Sequence, residues 1–185
     1  MLSTLTKLLM HRQMQFGDGK IEIFGQPVVL NALHTELGIL RELEKQKMEH
    51  VIYYSAKNAG YLWFEGMTSK YGLKIGEIMN WGPELINLAG WGVVKPVKAD
   101  VKGSEFSFLL LQSTMAKYYG KTNHPVDHYF RGLVTGAWEY ACKQKLEGIE
   151  VECMATGANA CRFELKTKNK LDLANANVKR QLGLK

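Results

Sequence analysis

The stretch that decides the reading of this chain is residues 150–161, EVECMATGANAC. It places Cys153 and Cys161 eight positions apart across a run of small residues, with Glu150 three positions before the first thiol. Ile149, Val151 and Cys153 alternate with polar residues, and Cys161, Phe163 and Leu165 do so again, the period of a two-stranded hairpin. Two readings stand side by side. Both cysteines fall on the alternating apolar face, where a free thiol packs as a small hydrophobe. Alternatively the thiols and Glu150 share a metal ion. Glu150 has the opposite parity to Cys153, so a shared site requires either that Cys153 lies past the end of its strand or that a bulge separates the two.

Working outward, residues 125–145 predict a helix with Pro125 at its first position, burying Val126, Phe130, Leu133, Ala137 and Ala141 and carrying a groove at Gly132 and Gly136. Residues 147–153, at roughly 3.3 Å each, run about 20 Å back along that helix and bring Cys153 near its first half. Candidates to complete a site are therefore Asp127 and His128 in the first turn and His124 just before it. Cys142 lies about 22 Å further along at 1.5 Å per residue and is expected to pack. Zinc accepts thiolate, imidazole and carboxylate in a tetrahedron, and four protein ligands make a structural site. The plainer role for Asp127 is an acid at the helix dipole, and for His124 a cap or a solvated ring.

Upstream, Leu2, Leu5, Leu8 and Leu9 give a short amphipathic helix. Met14 and Phe16, then Ile21 and Ile23, alternate around Gly17-Asp18-Gly19 and predict a hairpin, which Gly25 and Pro27 end. A helix from Leu33 to about Lys47 has Asn31 as its expected cap. Residues 51–71 put Ile52, Tyr53, Tyr61, Trp63, Phe64 and Met67 on nearly every side of a helix, which must bury more than one face in a cavity, a dimer interface or a core. A helix over 75–88 ends at Gly90-Trp91-Gly92, and strands follow over 93–101 and 106–112. The fold class is α+β, an antiparallel sheet packed with several helices.

The net charge of +6 is concentrated at the end, where residues 166–185 hold six basic side chains against Asp172. That segment lacks the aromatic interleaving of a base-stacking surface, so a solvated basic tail is expected and nucleic-acid binding is not. Three cysteines are too few for a disulfide scaffold and point to a reducing cytoplasm. Lys7 interrupts the first apolar stretch, so no secretory leader is expected, and no apolar run reaches a membrane span. There is no phosphate loop, dinucleotide fingerprint, Ser/His/Asp spacing or open-site metal motif, which argues against an enzyme.

Gly132-xxx-Gly136, Gly148 and Glu150-xx-Cys153-xxx-Gly157-xxx-Cys161-x-Phe163 resemble the carboxy-terminal signature of the 4-vinyl reductase-type ligand-binding domain. That family includes small stand-alone archaeal proteins, sensory domains of aromatic-responsive activators and an accessory protein of bacteriochlorophyll synthesis. Its fold is shared with TRAPP tethering subunits and haem-nitric-oxide-binding domains, so the resemblance implies the NO-signalling/Golgi-transport ligand-binding fold. It covers most of the chain before the tail, giving a single domain over 1–166 and a basic tail over 167–185. In the phenol-sensing members the equivalent glutamate and cysteines bind zinc together with a cysteine at the start of the preceding helix. That position falls on Asp127 here. The implied structural zinc set is Asp127, Glu150, Cys153 and Cys161, with His128 as the alternative ligand if the register relaxes by one.

The resemblance implies a binding module enclosing a small hydrocarbon or aromatic ligand, often as a homodimer. Trp63, Met67, Trp91, Phe108 and Phe130 are the candidate ligand contacts, each equally suited to a core. A scaffold or assembly subunit working through a protein partner, and an accessory role in tetrapyrrole reduction, are the alternatives.

Overall fold

The computed structural model describes residues 14–72 and 74–185; the expected helix over Leu2–Leu9 lies outside them. Strands β1 (Met14–Gly17) and β2 (Lys20–Ile23) form the expected hairpin. Asp18 and Gly19 both take positive φ, the backbone of a turn whose twist matches its strands. Gln26–Val28 does not end the pattern but adds β3 to this sheet, through a second positive-φ turn at Phe24-Gly25. Pro27 is tolerated because β3 is an edge strand.

Helix α1 (Leu33–Lys45) buries Leu37 and Leu40; its cap is Ala32, while the Asn31 side chain donates to Glu36. Helix α2 (His50–Tyr71) ends at Gly72 in the left-handed region, and α3 (Ile75–Leu88) contains Pro83 as expected. After Gly90-Trp91-Gly92 come β4 (Val93–Asp100) and β5 (Glu105–Leu111). A short α4 (Thr114–Tyr119) follows, capped by Ser113 Oγ, which accepts from Ala116 N–H. Helix α5 (His128–Cys142), β6 (Glu147–Glu152) and β7 (Cys161–Lys166) form the unit foreseen around the cysteines, with strand order β4-β5-β7-β6. The arrangement is α+β with antiparallel sheets.

Helices α2 and α5 make the most extensive helix–helix contact described. A methyl group at Gly60, Gly132 or Gly136 would fall on backbone of the opposing helix, so glycine is what lets the two axes approach. One face of the four-stranded sheet packs Phe106, Phe108, Leu110, Phe163 and Leu165 against Phe130 and Val134 of α5. A second cluster joins Phe24 and Met67 to Trp63, Phe64, Trp81 and Leu85, seating the small sheet on α2 and α3.

Two expectations fail. Helix α5 starts at His128 rather than Pro125, because Asp127 has a non-helical backbone and is its N-cap. The end of the chain is not a solvated tail: α6 (Ala176–Leu182) buries Val178, Gln181 and Leu182 against Tyr53 and Ile149. Its basic residues Lys179 and Arg180 sit in its last turn, where they suit the helix dipole, and Arg180 pairs with the buried Glu49.

Candidate functional site

The last hairpin is irregular at one point. Glu150 pairs with Phe163 and Glu152 with Arg162, so Val151 is an extra residue in β6. The bulge turns Val151 outward, 43% exposed, and leaves Ile149 and Glu150 both buried. Cys153 lies past the end of the strand, at the start of a 3₁₀ turn over Met154–Thr156. Both geometric conditions for Glu150 and Cys153 to share a site are met.

Asp127, Glu150, Cys153 and Cys161 meet there, each buried and each offering one atom, with all four atoms within 4.8 Å of one another. Glu150 Oε2 accepts from Asp127 N–H at 3.0 Å, while buried Glu150 Oε1 has no hydrogen-bond partner among the described residues. Asp127 Oδ1 accepts from Ser113 Oγ at 2.8 Å and Oδ2 from the Cys161 thiol at 3.1 Å. The same sulfur accepts from Met154 N–H at 3.3 Å. Burial raises both carboxyls, Glu150 further because the Asp127 charge stands beside it. A hydrogen bond from Cys161 lowers Cys153 to about 6 and pushes Cys161 up, one proton serving two sulfurs.

Four groups that each carry −1 when ionised are thus packed into one buried space. Such a set either holds protons or is neutralised by a cation. Two thiols with two carboxylates match the ligand types and the coordination number of zinc, whereas magnesium and calcium prefer all-oxygen sites. The unpartnered Glu150 Oε1 is a donor atom in want of an acceptor of its lone pair. The residues present therefore fit a four-ligand metal with no open position.

His128 is outside this group. Its Nδ1 lies 3.4 Å from Arg131 Nη2, and burial together with the Arg131 charge lowers it well below the usual histidine range. His124 faces Glu44 at 3.6 Å, and Cys142 packs at the rim of the main core. Sequence reasoning missed Ser113, although a serine directly after an apolar strand is an N-cap signal.

On the other side of Phe108, α2, α3, α5, β4 and β5 enclose an apolar cavity of about 300 Å³. Trp63, Met67, Trp91 and Phe108 line it, and so do Phe106 and Trp138, which stack on each other at 3.9 Å. Phe130 does not line it; it stands behind the wall, 5.9 Å from the Phe108 ring and 5.3 Å from the Phe163 ring. Among the described residues the lining contains a single ionisable side chain, Lys98, whose ammonium is neutralised by Glu105. An engineered apolar cavity of about 150 Å³ already binds benzene, so this one has room for a ligand of about two rings.

Residues 111–167 match the 4-vinyl reductase (V-4-R) domain family. This is the family resemblance read from the glutamate and cysteines, and the matched segment runs from the end of β5 through the last hairpin. Over the whole chain, the fold is similar to that of the phenol-responsive sensory domain of the transcription activator PoxR, solved with phenol, with a TM-score of 0.77, 20% identity and coverage of 98% of this chain and 96% of that one. It is also similar to a trafficking protein particle complex subunit 3 from Naegleria fowleri covalently bound to palmitic acid, with a TM-score of 0.51, 14% identity and coverage of 74% and 93%. A vinyl-4-reductase family protein from Methanocaldococcus jannaschii aligns with a TM-score of 0.49, 18% identity and coverage of 75% and 82%. No curated protein matches the chain in sequence. No described helix is long and apolar enough to cross a membrane.

Proposed function

We propose that this protein is a cytoplasmic, sensor-like module that binds a small apolar or aromatic molecule in the cavity beside Phe108 and braces that cavity with a structural zinc ion at Asp127, Glu150, Cys153 and Cys161. The observation that carries the reading is the juxtaposition of the two features. An almost wholly apolar cavity of ligand size lies beside a buried quartet of metal-type donors. The fold shared with a phenol-responsive domain supports the same ligand class. Zinc would neutralise the quartet and fix α4, α5 and the hairpin together. The chain's own part is to hold the donors, through Ser113 on Asp127 and the Asp127 amide on Glu150, and to keep water out. The described lining of the cavity offers no paired acid and base, so the protein acts by binding, not by turnover.

Trp63, Trp91 and Trp138 line the cavity, so ligand entry is readable by tryptophan fluorescence. Titration with phenol and with naphthalene should give saturable quenching. A flat response to both, with the protein folded, would remove the ligand reading.

A second reading is favoured by α2, whose Val51, Tyr54 and Leu62 are apolar yet exposed. That face suits a homodimer or a protein partner, and sedimentation of the purified chain distinguishes a dimer from a monomer.

A further inference from the structure

Gln181 is fully buried, although it sits on a seven-residue helix in the basic end of the chain. Its side-chain amide addresses a single residue in both directions. Oε1 accepts from Glu150 N–H at 2.9 Å, and Nε2 donates to Glu150 C=O at 2.9 Å. Because β6 is an edge strand, the amide supplies at that point the two bonds that a further strand would supply. It does so one residue before the bulge at Val151, where the strand leaves register.

The main chain of Gln181 is held from the other side. Its C=O accepts from Arg131 Nη2 at 2.9 Å, and Arg131 Nη1 also donates to Gly148 C=O. Arg131 is fully buried and lies one helical turn beyond Asp127. Gln181 is therefore clamped between the helix that begins at Asp127 and the strand that delivers Glu150. If α6 needed only to cover apolar surface, an aliphatic side chain beside Val178 and Leu182 would serve, without the cost of burying an amide.

We propose that Gln181 is a positioning residue for the metal quartet: docking of α6 fixes Glu150 at the separation from Asp127 that one ion requires. Metal binding and the docking of α6 are then coupled, and each strengthens the other by the same factor. This rests on reading the quartet as a metal site. Residues that orient metal ligands change affinity by about 10–100-fold when removed.

The test compares Gln181→Leu, which keeps the volume and removes both bonds to Glu150, with Val178→Ala, which loosens the same helix without touching Glu150. Zinc affinity is measured by competition with a chromophoric chelator at neutral pH. Gln181→Leu should bind zinc at least about tenfold more weakly than the parent, and Val178→Ala within about twofold of it. In the parent, hydrogen exchange of the α6 amides should speed up when zinc is stripped, a readout that needs no variant. Equal affinity in parent and Gln181→Leu, an equal loss in Val178→Ala, or α6 exchange indifferent to zinc would overturn the proposal. A parent that takes up no zinc removes the metal reading itself, and this inference with it.

Discussion

Phe108 and Glu150 stand in one cross-strand row, separated by Phe163 alone: Phe108 pairs with Phe163 and Phe163 with Glu150. Phe108 lines the cavity and Glu150 belongs to the quartet. The Phe108 and Phe163 rings stack at 5.1 Å, and Phe130 of α5 packs edge-on against both. Pleating puts directly paired residues on one face of a sheet, so the wall of the cavity and the donor set are built on the same surface.

Removing one thiol should empty the metal site. Cys161→Ser is expected to drop bound zinc from one per chain to near zero by elemental analysis. Stabilisation by a ligand at about 100 times its Kd amounts to about 2.7 kcal/mol, so Tm should fall by roughly 5–10 °C. A variant that keeps its zinc and its Tm would show the cysteines to be packing residues.

Asp127 is the position at which the phenol sensors resembled by this chain carry a thiolate. Asp127→Cys should tighten zinc by about tenfold or more, because thiolate is the softer ligand, and Asp127→Ala should weaken it. Competition with a chromophoric chelator reads both; the opposite order would place Asp127 outside the coordination sphere.

The pH dependence of the stripped protein has a defined sign. Burial raises Asp127 and Glu150 in the folded state, so their contribution is fully present below the unfolded carboxyl pKa of about 4 and is lost as pH rises through the raised values. Cys153, lowered to about 6, contributes in the opposite direction as pH climbs past that value. Between about pH 4.5 and 6, chelator-treated protein should therefore lose Tm with rising pH relative to Glu150→Gln, whose amide does not titrate. With zinc the trend should invert, since all four donors bind deprotonated. Parallel melting curves for the two proteins would contradict this.

Gly136 is where α2 and α5 come nearest: a methyl group there would lie 1.8 Å from the Lys57 carbonyl oxygen. Gly136→Ala must push the helices apart, and an expected loss of about 3 kcal/mol follows from overpacking. Chemical denaturation measures it. A loss under about 0.5 kcal/mol would mean that the interface is looser than described.

Filling the cavity should separate its two halves functionally. Ala137 is buried and lines it, so Ala137→Phe should weaken naphthalene binding at least tenfold by fluorescence while leaving zinc at one per chain. Unchanged naphthalene affinity would place the ligand elsewhere.

Much of this was legible in the sequence, because strong periodicity and punctuation coincide in the relevant places. The Gly17-Asp18-Gly19 hairpin, α2 with its many-sided apolar surface, and the Glu150, Cys153 and Cys161 spacing all follow from local pattern. The bulge at Val151 did not, since alternation alone puts Val151 inward and Glu150 outward, and only the Asp127 amide and the Gln181 amide reverse that parity. The last helix was hidden by its charge: Lys179 and Arg180 dominate the composition, while its buried stripe is only Val178, Gln181 and Leu182. Asn175 as its cap and Gly183 as its left-handed stop were the available signals. Phe130 illustrates a different limit, because periodicity identifies a buried face without telling a cavity wall from the layer behind it.

The central claim, a metal-braced apolar binding site, is tested most directly by elemental analysis and small-molecule extraction on one natively purified sample. The account predicts one zinc per chain, lost in Cys161→Ser, together with an uncharged apolar or aromatic compound recovered from the parent and not from Ala137→Phe. Protein free of metal as purified, indifferent in Tm to added zinc and yielding no such compound, would contradict it.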